Sequence, residues 1–466
     1  MRQRKQAVKR SMTTTPSNPL ERLNPNAAGI DIGAAQHYVA VPAGRDGDGQ
    51  DVRCFNAFTA DLYALARWLK ACGIDTVAME STGVYWIPLF ELLEAQGLQV
   101  HLVNPRSVKN APGRKSDVLD CQWIQQLHTY GLLSGAFRPE EPICILRSYV
   151  RQRAMLISSA ASHIQHMQKA LDQMNIKLHQ VVEDITGATG MRIIRSILDG
   201  QRDALSLAQL RDARCKHDVA TIAASLHGNW RKEHLFALKQ AVELFDFYQS
   251  QITACDSAIE EHLHSFEAED SSPPEAPGAA GKGSKHQFGF DAHGHLQRIS
   301  GVDLTRIEGI NVTTAMGIIA ETGLDMNRWP SEKHFGSWLG LCPGTNVSGG
   351  KRLSSRSKPT ANRAAHLFRL AAYSLHRSKG AIGAFLRRKK AQLGAPKAIT
   401  ATAYKIARIF YNMLKHGTEY VALGQDYYEK RYRDRLLNNL KRNAQTLGYQ
   451  LVQLTENTNE MVNNPV

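Results

Sequence analysis

The order of segments between residues 27 and 135 constrains this fold more than any other feature of the chain. "AAGIDIG" (27–33) is a short apolar run ending in glycine, suited to a buried strand. "QHYVAVP" (36–42) follows a tight turn, and "DVRCFNAF" (51–58) follows the Gly/Asp-rich "AGRDGDGQ". Together they predict an antiparallel meander. "ADLYALARWLKAC" then has helical spacing and stops at Gly73. "IDTVAME" (74–80) reads as a strand, "VYWIPLFELLEAQG" as a helix and "LQVHLVN" (98–104) as a strand. "SDVLDCQWIQQLHTYGLL" (116–133) reads as a helix with Ser116 at its N-cap. The order is βββαβαβα, an α/β domain over 27–135.

The rest is mostly helical. Over 143–265, Leu146, Val150, Ile157, Ile164, Met167, Leu171, Met174, Leu178 and Val181 recur at steps of three, four or seven. That predicts one long amphipathic helix, in a coiled coil or an intramolecular hairpin. A second long helix is expected from about His234 to His264, with shorter ones over 185–232. Residues 267–298 open with a Pro/Gly/Ser/Ala-rich stretch and read as a linker. Residues 299–425 form a further helical unit and 426–466 a basic helical tail. Residues 1–26 form a basic arm without the apolar core of a signal peptide. No run of about 18 apolar residues predicts a membrane span.

Charge points to the partner. The chain carries 57 Lys+Arg against 43 Asp+Glu, a net charge of +14. Between Glu332 and Glu419 there is no acid, yet 17 basic residues fall there. A window of that kind predicts contact with nucleic acid. Inside it, "GTNVSGGKRLSS" places Ser348 before Gly349, Gly350, Lys351 and Arg352. Arg356, Lys358 and Arg363 follow. The turn at Gly309 opens a helix, and reads either as a phosphate-binding N-terminus or as a plain helical hairpin. Lys109, Arg114 and Lys115 offer phosphate contacts, and read equally as a solvated loop. The seven cysteines are scattered, with no C-x-x-C pair and no histidine cluster at zinc spacing, so neither a disulfide framework nor a zinc site is expected. A reducing cytoplasm fits that usage.

Four carboxylates stand out. Asp31 interrupts an apolar strand, where a charge is costly unless compensated. Glu80 ends another strand, at the edge where α/β sheets bind ligands, though it also reads as a cap. Asp117 and Asp120 share one helix face, and Asp117 also suits a helix first turn. Brought together, such acids would suit Mg²⁺ or Mn²⁺ and phosphodiester chemistry.

This order of acids on this frame resembles the RuvC/RNase H superfamily of metal-dependent nucleases. "GIDIG", "AMESTGVYW", "LVNPRSVKN" and "RKSDVLDCQWI" are similar to the DEDD-type insertion-sequence transposases, whose relatives include the Piv-type DNA invertases. "RIEGINVTTAMGIIAETG", "FGSWLGLCPGTNVSGGK" and "ANRAAHLFRLAAYSL" resemble the same family's transposase domain. The resemblance covers about residues 27–425.

It implies a RuvC-like domain holding divalent metal on Asp31, Glu80, Asp117 and Asp120. It also implies a covalent serine nucleophile matching Ser348, on double-stranded DNA at element ends and target. Dimers or tetramers, a structured guide RNA from the mobile element, and a prokaryotic, nucleoid-associated location follow from it as well. The residues alone leave open a structure-selective nuclease using water, an invertase, or a catalytically dead binding scaffold.

Overall fold

The computed structural model describes residues 21–104, 116–266, 286–357, 359–420 and 425–452. The first 20 residues of the basic arm, Lys109, Arg114, Lys115, Lys358, 267–285 of the linker and the end of the tail lie outside the described residues. The chain divides into two compact units, one up to Arg138 and one from Pro139.

In the first unit the meander forms as expected. Strands β1 (Ala27–Ile32), β2 (Gln36–Ala40) and β3 (Val52–Asn56) pair antiparallel. Helix α1 (Thr59–Ala71) returns the chain to β4 (Thr76–Glu80), which pairs parallel to β1. Helix α2 (Trp86–Ala95) leads to β5 (Gln99–Val103), parallel to β4, and α3 (Asp117–Thr129) follows. The sheet order is β3-β2-β1-β4-β5.

Strand alternation divides the sheet's two faces. Ile30, Ile32, Val77 and Met79 point to one face and share a buried core with Leu62, Leu65 and Leu69 of α1 and Leu89, Phe90 and Leu93 of α2. The odd-numbered neighbours on β1, Ala27, Gly29 and Asp31, take the opposite face, which α3 covers. Ala78 and Val103 pack there against Ile124 of α3. Gly29 is the point of closest approach. A Cβ built on it would lie 2.2 Å from Gln125 N and 2.4 Å from Cys121 O, both backbone atoms of α3. Gly29→Ala is therefore expected to push α3 off the sheet and cost about 3 kcal/mol, read as a lowered urea midpoint. It should also weaken any cation binding that depends on the α3 carboxylates.

The second unit starts with two 33-residue helices, α4 (Glu141–Gln173) and α9 (Lys232–His264). Between them lie α5 (Leu178–Val181), α6 (Ala188–Leu198), α7 (Ala204–Gln209) and α8 (Val219–Ser225). The two long helices pack antiparallel within one chain, so the structure adopts the hairpin reading. A buried ion pair between Arg153 of α4 and Asp256 of α9 sits mid-hairpin. Arg153 also donates to Gln287 O at 2.8 Å, and Asp256 accepts from Gly289 N at 3.0 Å. The first long helix ends at Gln173, short of Val181. Asn175 takes a φ of 58° and turns the backbone out of the helix, so Leu178 and Val181 belong to α5.

Helix α10 (Ala292–Ser300) starts inside the stretch expected as linker and runs through the boundary at 299. Asp291 caps it and Gly301, at φ 69°, ends it. Then come α11 (Val312–Thr322), α12 (Glu332–Trp338), the strands β6 (Asn346–Ser348) and β7 (Lys351–Ser354), α13 (Arg363–Ser374), α14 (Ala381–Leu393), α15 (Ala395–His416) and α16 (Gln425–Thr446). Phe335, Phe368 and Phe410 fill the core between α12, α13 and α15. Arg147 of α4 donates to Ala320 O and Glu321 O, and Arg151 grips the Glu321 carboxylate with two bonds. These bonds tie the long hairpin to α11. No helix among the described residues is long and apolar enough to cross a membrane.

Candidate active site

The sheet register brings the first two acids together. Ala27 pairs with Thr76, Ala28 with Val77, Gly29 with Ala78 and Ile30 with Met79. One step further the same parallel register sets Asp31 beside Glu80. Residues level in adjacent parallel strands project to the same face, roughly 4.8 Å apart at the backbone. That face carries α3, whose first turn holds Asp117 and Asp120. Ser116 caps this helix, accepting from Leu119 N at 3.4 Å. Gln125 of α3 donates to Ala27 O at 3.3 Å, and Thr76 Oγ1 lies 2.9 Å from His128 Nε2. These bonds fix the far end of α3 along β1 and β4, which aims its acidic first turn at the strand ends.

The electrostatics report the same convergence. Burial pushes the Asp31 carboxyl up to about 6, helped by the charges of Glu80, then Asp117, then Asp120. All three other acids thus act on Asp31. Cys121, beneath it, is pushed up to about 12 by burial and by Asp31, which leaves an unreactive thiol. The set consists of carboxylate oxygens only, and its own mutual repulsion is relieved by a divalent cation. It fits Mg²⁺ or Mn²⁺ and does not suit soft metals.

Sequence reasoning missed two residues here. Tyr38 of β2 stands opposite Asp31 in the antiparallel register. Its phenol is raised mainly by the hydrogen bond it donates to Cys54, with a contribution from Asp117. Gly29 was quoted in "GIDIG" without a role, and its small size is what lets α3 close on the sheet. The i, i+2 relation of Gly29 to Asp31 is the signal that a helix packs just below the acid.

Ser348 belongs to the second unit, and its stretch is an ordered hairpin rather than a loose loop. Ser348 ends β6 and pairs with Lys351 of β7 across a two-residue turn. Gly349 and Gly350 have φ of 55° and 75°, the positive pair that a type I′ turn demands. Among the described residues no atom lies within 4 Å of a Cβ built on either, so conformation selects the glycines here. The bond from Gly344 N to Arg356 O at 3.0 Å closes the hairpin base. Ser348, Lys351 and Arg356 are exposed, as is Arg363 at the start of α13.

Other expected contacts fare differently. Gly309 takes φ 90°, and its would-be Cβ meets Ala371 O of α13 at 2.5 Å. Its close approach is to the protein's own backbone, so packing by itself requires a glycine here. The acid-free window also spends part of its charge internally. Arg408 pairs with Glu332, Arg387 donates to Ser378 O, and burial lowers Lys405 beside Glu308.

Comparison with known families agrees with this layout. Residues 28–176 match a transposase family of the DEDD IS110 type, and residues 303–386 match the transposase IS116/IS110/IS902 family. No curated protein matches the chain. Two such domains in this order define a DNA transposase/recombinase. They are IS110-family transposase domains, the first spanning the acid cluster and the second spanning the Ser348 hairpin.

Proposed function

We propose that this transposase cuts and rejoins DNA through a RuvC/RNase H-like metal site and a serine nucleophile, Ser348. The observation that carries the reading is the placing of Asp31 beside Glu80 and the α3 acids: burial first, and then the charges of Glu80, Asp117 and Asp120, raise the Asp31 pKa to about 6. A bound divalent cation supplies charge stabilisation for the scissile phosphate and lowers the cost of ionising an attacking hydroxyl. Asp31, Glu80, Asp117 and Asp120 hold it.

Ser348 Oγ, exposed at the hairpin tip, attacks phosphorus and loses its proton. The bond from phosphorus to the leaving sugar oxygen breaks, and that oxygen takes a proton. The product is a DNA–phosphoserine ester, which a later DNA hydroxyl reverses to rejoin the strand. Gly349 and Gly350 leave room for the DNA backbone, and Lys351, Arg352, Arg356, Lys358 and Arg363 offer cations for phosphate. Lys109, Arg114 and Lys115 would add contacts beside α3. The acids and Ser348 lie in different units.

Dimers or tetramers and a guide RNA complete the reading. Exposed Tyr149 and Met155 on α4 and Phe236, Leu244 and Phe247 on α9 support helix-mediated pairing in a coiled coil. A nucleoid-associated location follows from work on chromosomal DNA.

Incubation of the full chain and its co-purified RNA with element-end DNA, target DNA and Mg²⁺ tests this function. The expected result is a joined product that disappears on RNase treatment. A joined product insensitive to RNase would remove the guide. Cleavage without joining would favour a water-using nuclease.

A further inference from the structure

Away from the acid cluster, three side chains of the second unit converge at the end of the long hairpin. Glu260 and His264 are four residues apart on α9 and so share one helix face. His295 comes from α10. Their donor atoms all lie within 4.8 Å of one another. His295 Nε2 is 4.0 Å from Glu260 Oε1, and the rings of His264 and His295 meet edge to face at 4.7 Å.

From this geometry we infer a binding site for a zinc-class divalent cation held by Glu260, His264 and His295. Two imidazoles and one carboxylate form a donor set for zinc and its first-row neighbours, not for Mg²⁺. Around zinc, bonds of about 2.0–2.1 Å put donors about 3.4 Å apart, so modest rotations close the present spread. Nε2 is the His295 nitrogen that faces Glu260, and the buried Nδ1 has no hydrogen-bond partner among the described residues. Glu260 is 41 % exposed along its side chain and His264 is exposed, which leaves an entry path.

The setting favours a cation. His264 is the last residue of α9, at the negative end of the helix dipole. Arg298 of α10 donates to Leu263 O at 2.6 Å and Phe266 O at 2.9 Å. Those two bonds hold α10 against the end of α9 and so place the third ligand in advance. A bound cation would staple α10 to the long hairpin. No cysteine takes part, which is why a search for cysteine-based zinc spacing passes over it. The site is independent of the DNA chemistry proposed above.

The test uses the full chain, stripped with a chelator and titrated with Zn²⁺ in excess Mg²⁺, which keeps the acid cluster occupied. One zinc per chain should survive gel filtration. His264→Gln and Glu260→Gln, both at exposed or half-exposed positions, should each lower zinc affinity by about tenfold or more. The zinc-free melting temperature of each variant should stay unchanged, which separates lost ligation from misfolding. Zinc retained equally by His264→Gln and Glu260→Gln, or no zinc retained by the parent chain, would overturn the assignment.

Discussion

Ser348→Ala leaves the fold intact and lowers DNA strand transfer by about 10⁴-fold or more, the scale expected when a covalent nucleophile is removed. The fold is spared because Ser348 is exposed at the end of a short hairpin. Its side chain is not needed for the turn, which Gly349 and Gly350 shape through their positive φ. The comparison that gives the result meaning is with Ser354→Ala and Ser355→Ala, which sit in the same basic stretch. Those variants should keep activity within about threefold, since neither occupies the hairpin tip. Strand-transfer rates under matched DNA and Mg²⁺ concentrations measure both. Equal losses at all three serines would turn the stretch back into a simple phosphate-binding surface.

Asp31→Asn and Asp120→Asn each lower the same rate by about 10³-fold, because each removes a negative donor from the cation site. Asp31 adds a distinctive pH signature. Its folded-state pKa, about 6, lies above its ordinary value of 3.8. The folded chain therefore binds a proton more readily than the unfolded chain between those limits. The Asp31 contribution to metal-free stability falls as pH rises from about 4 to 6 and the cost persists above that window, while His128, lowered to about 4 by burial, acts in the opposite sense over the same range. Two pKa units correspond to about 3 kcal/mol, and solvent screening at this half-open site reduces it to about 1–2 kcal/mol.

Asp31→Asn should thus raise the metal-free melting temperature at pH 8, and by more than it does at pH 4. Mg²⁺ should stabilise the parent chain at pH 8, progressively less as pH falls through 6, and should not stabilise the variant. Melting curves at three pH values with and without Mg²⁺ decide it. A stability difference between the parent chain and Asp31→Asn that does not change between pH 4 and 7 would contradict the acid cluster.

Much of the first unit was legible because its signals are local. Glycine-ended apolar runs marked strands, Ser116 marked a cap, and Asp31 was conspicuous as a charge inside an apolar strand. What sequence could not supply was the packing partner. Gly29 reads as a generic strand glycine until α3 arrives from almost a hundred residues away. Gly309 illustrates the same limit in reverse: its positive φ was legible as a turn, but the atom it approaches belongs to α13. In the Ser348 stretch, two central glycines flanked by Val347–Ser348 and Lys351–Leu353 carry a hairpin signal. Its high polarity masked the alternation. The long hydrophobic pattern through Val181 overran because α5 continues the spacing after Asn175 breaks the helix. Glu260 and His264 show a helical spacing for metal, but His295 lies beyond a long intervening stretch and only the fold unites the three.

The most direct test of the central claim is to trap the reaction with element-end DNA and Mg²⁺, digest the protein and locate the nucleotide remnant by mass spectrometry. The account predicts a phosphodiester-linked remnant on Ser348, in the peptide that spans the "VSGG" turn. Cleaved DNA with no remnant on the protein, or a remnant on a different residue, would contradict it.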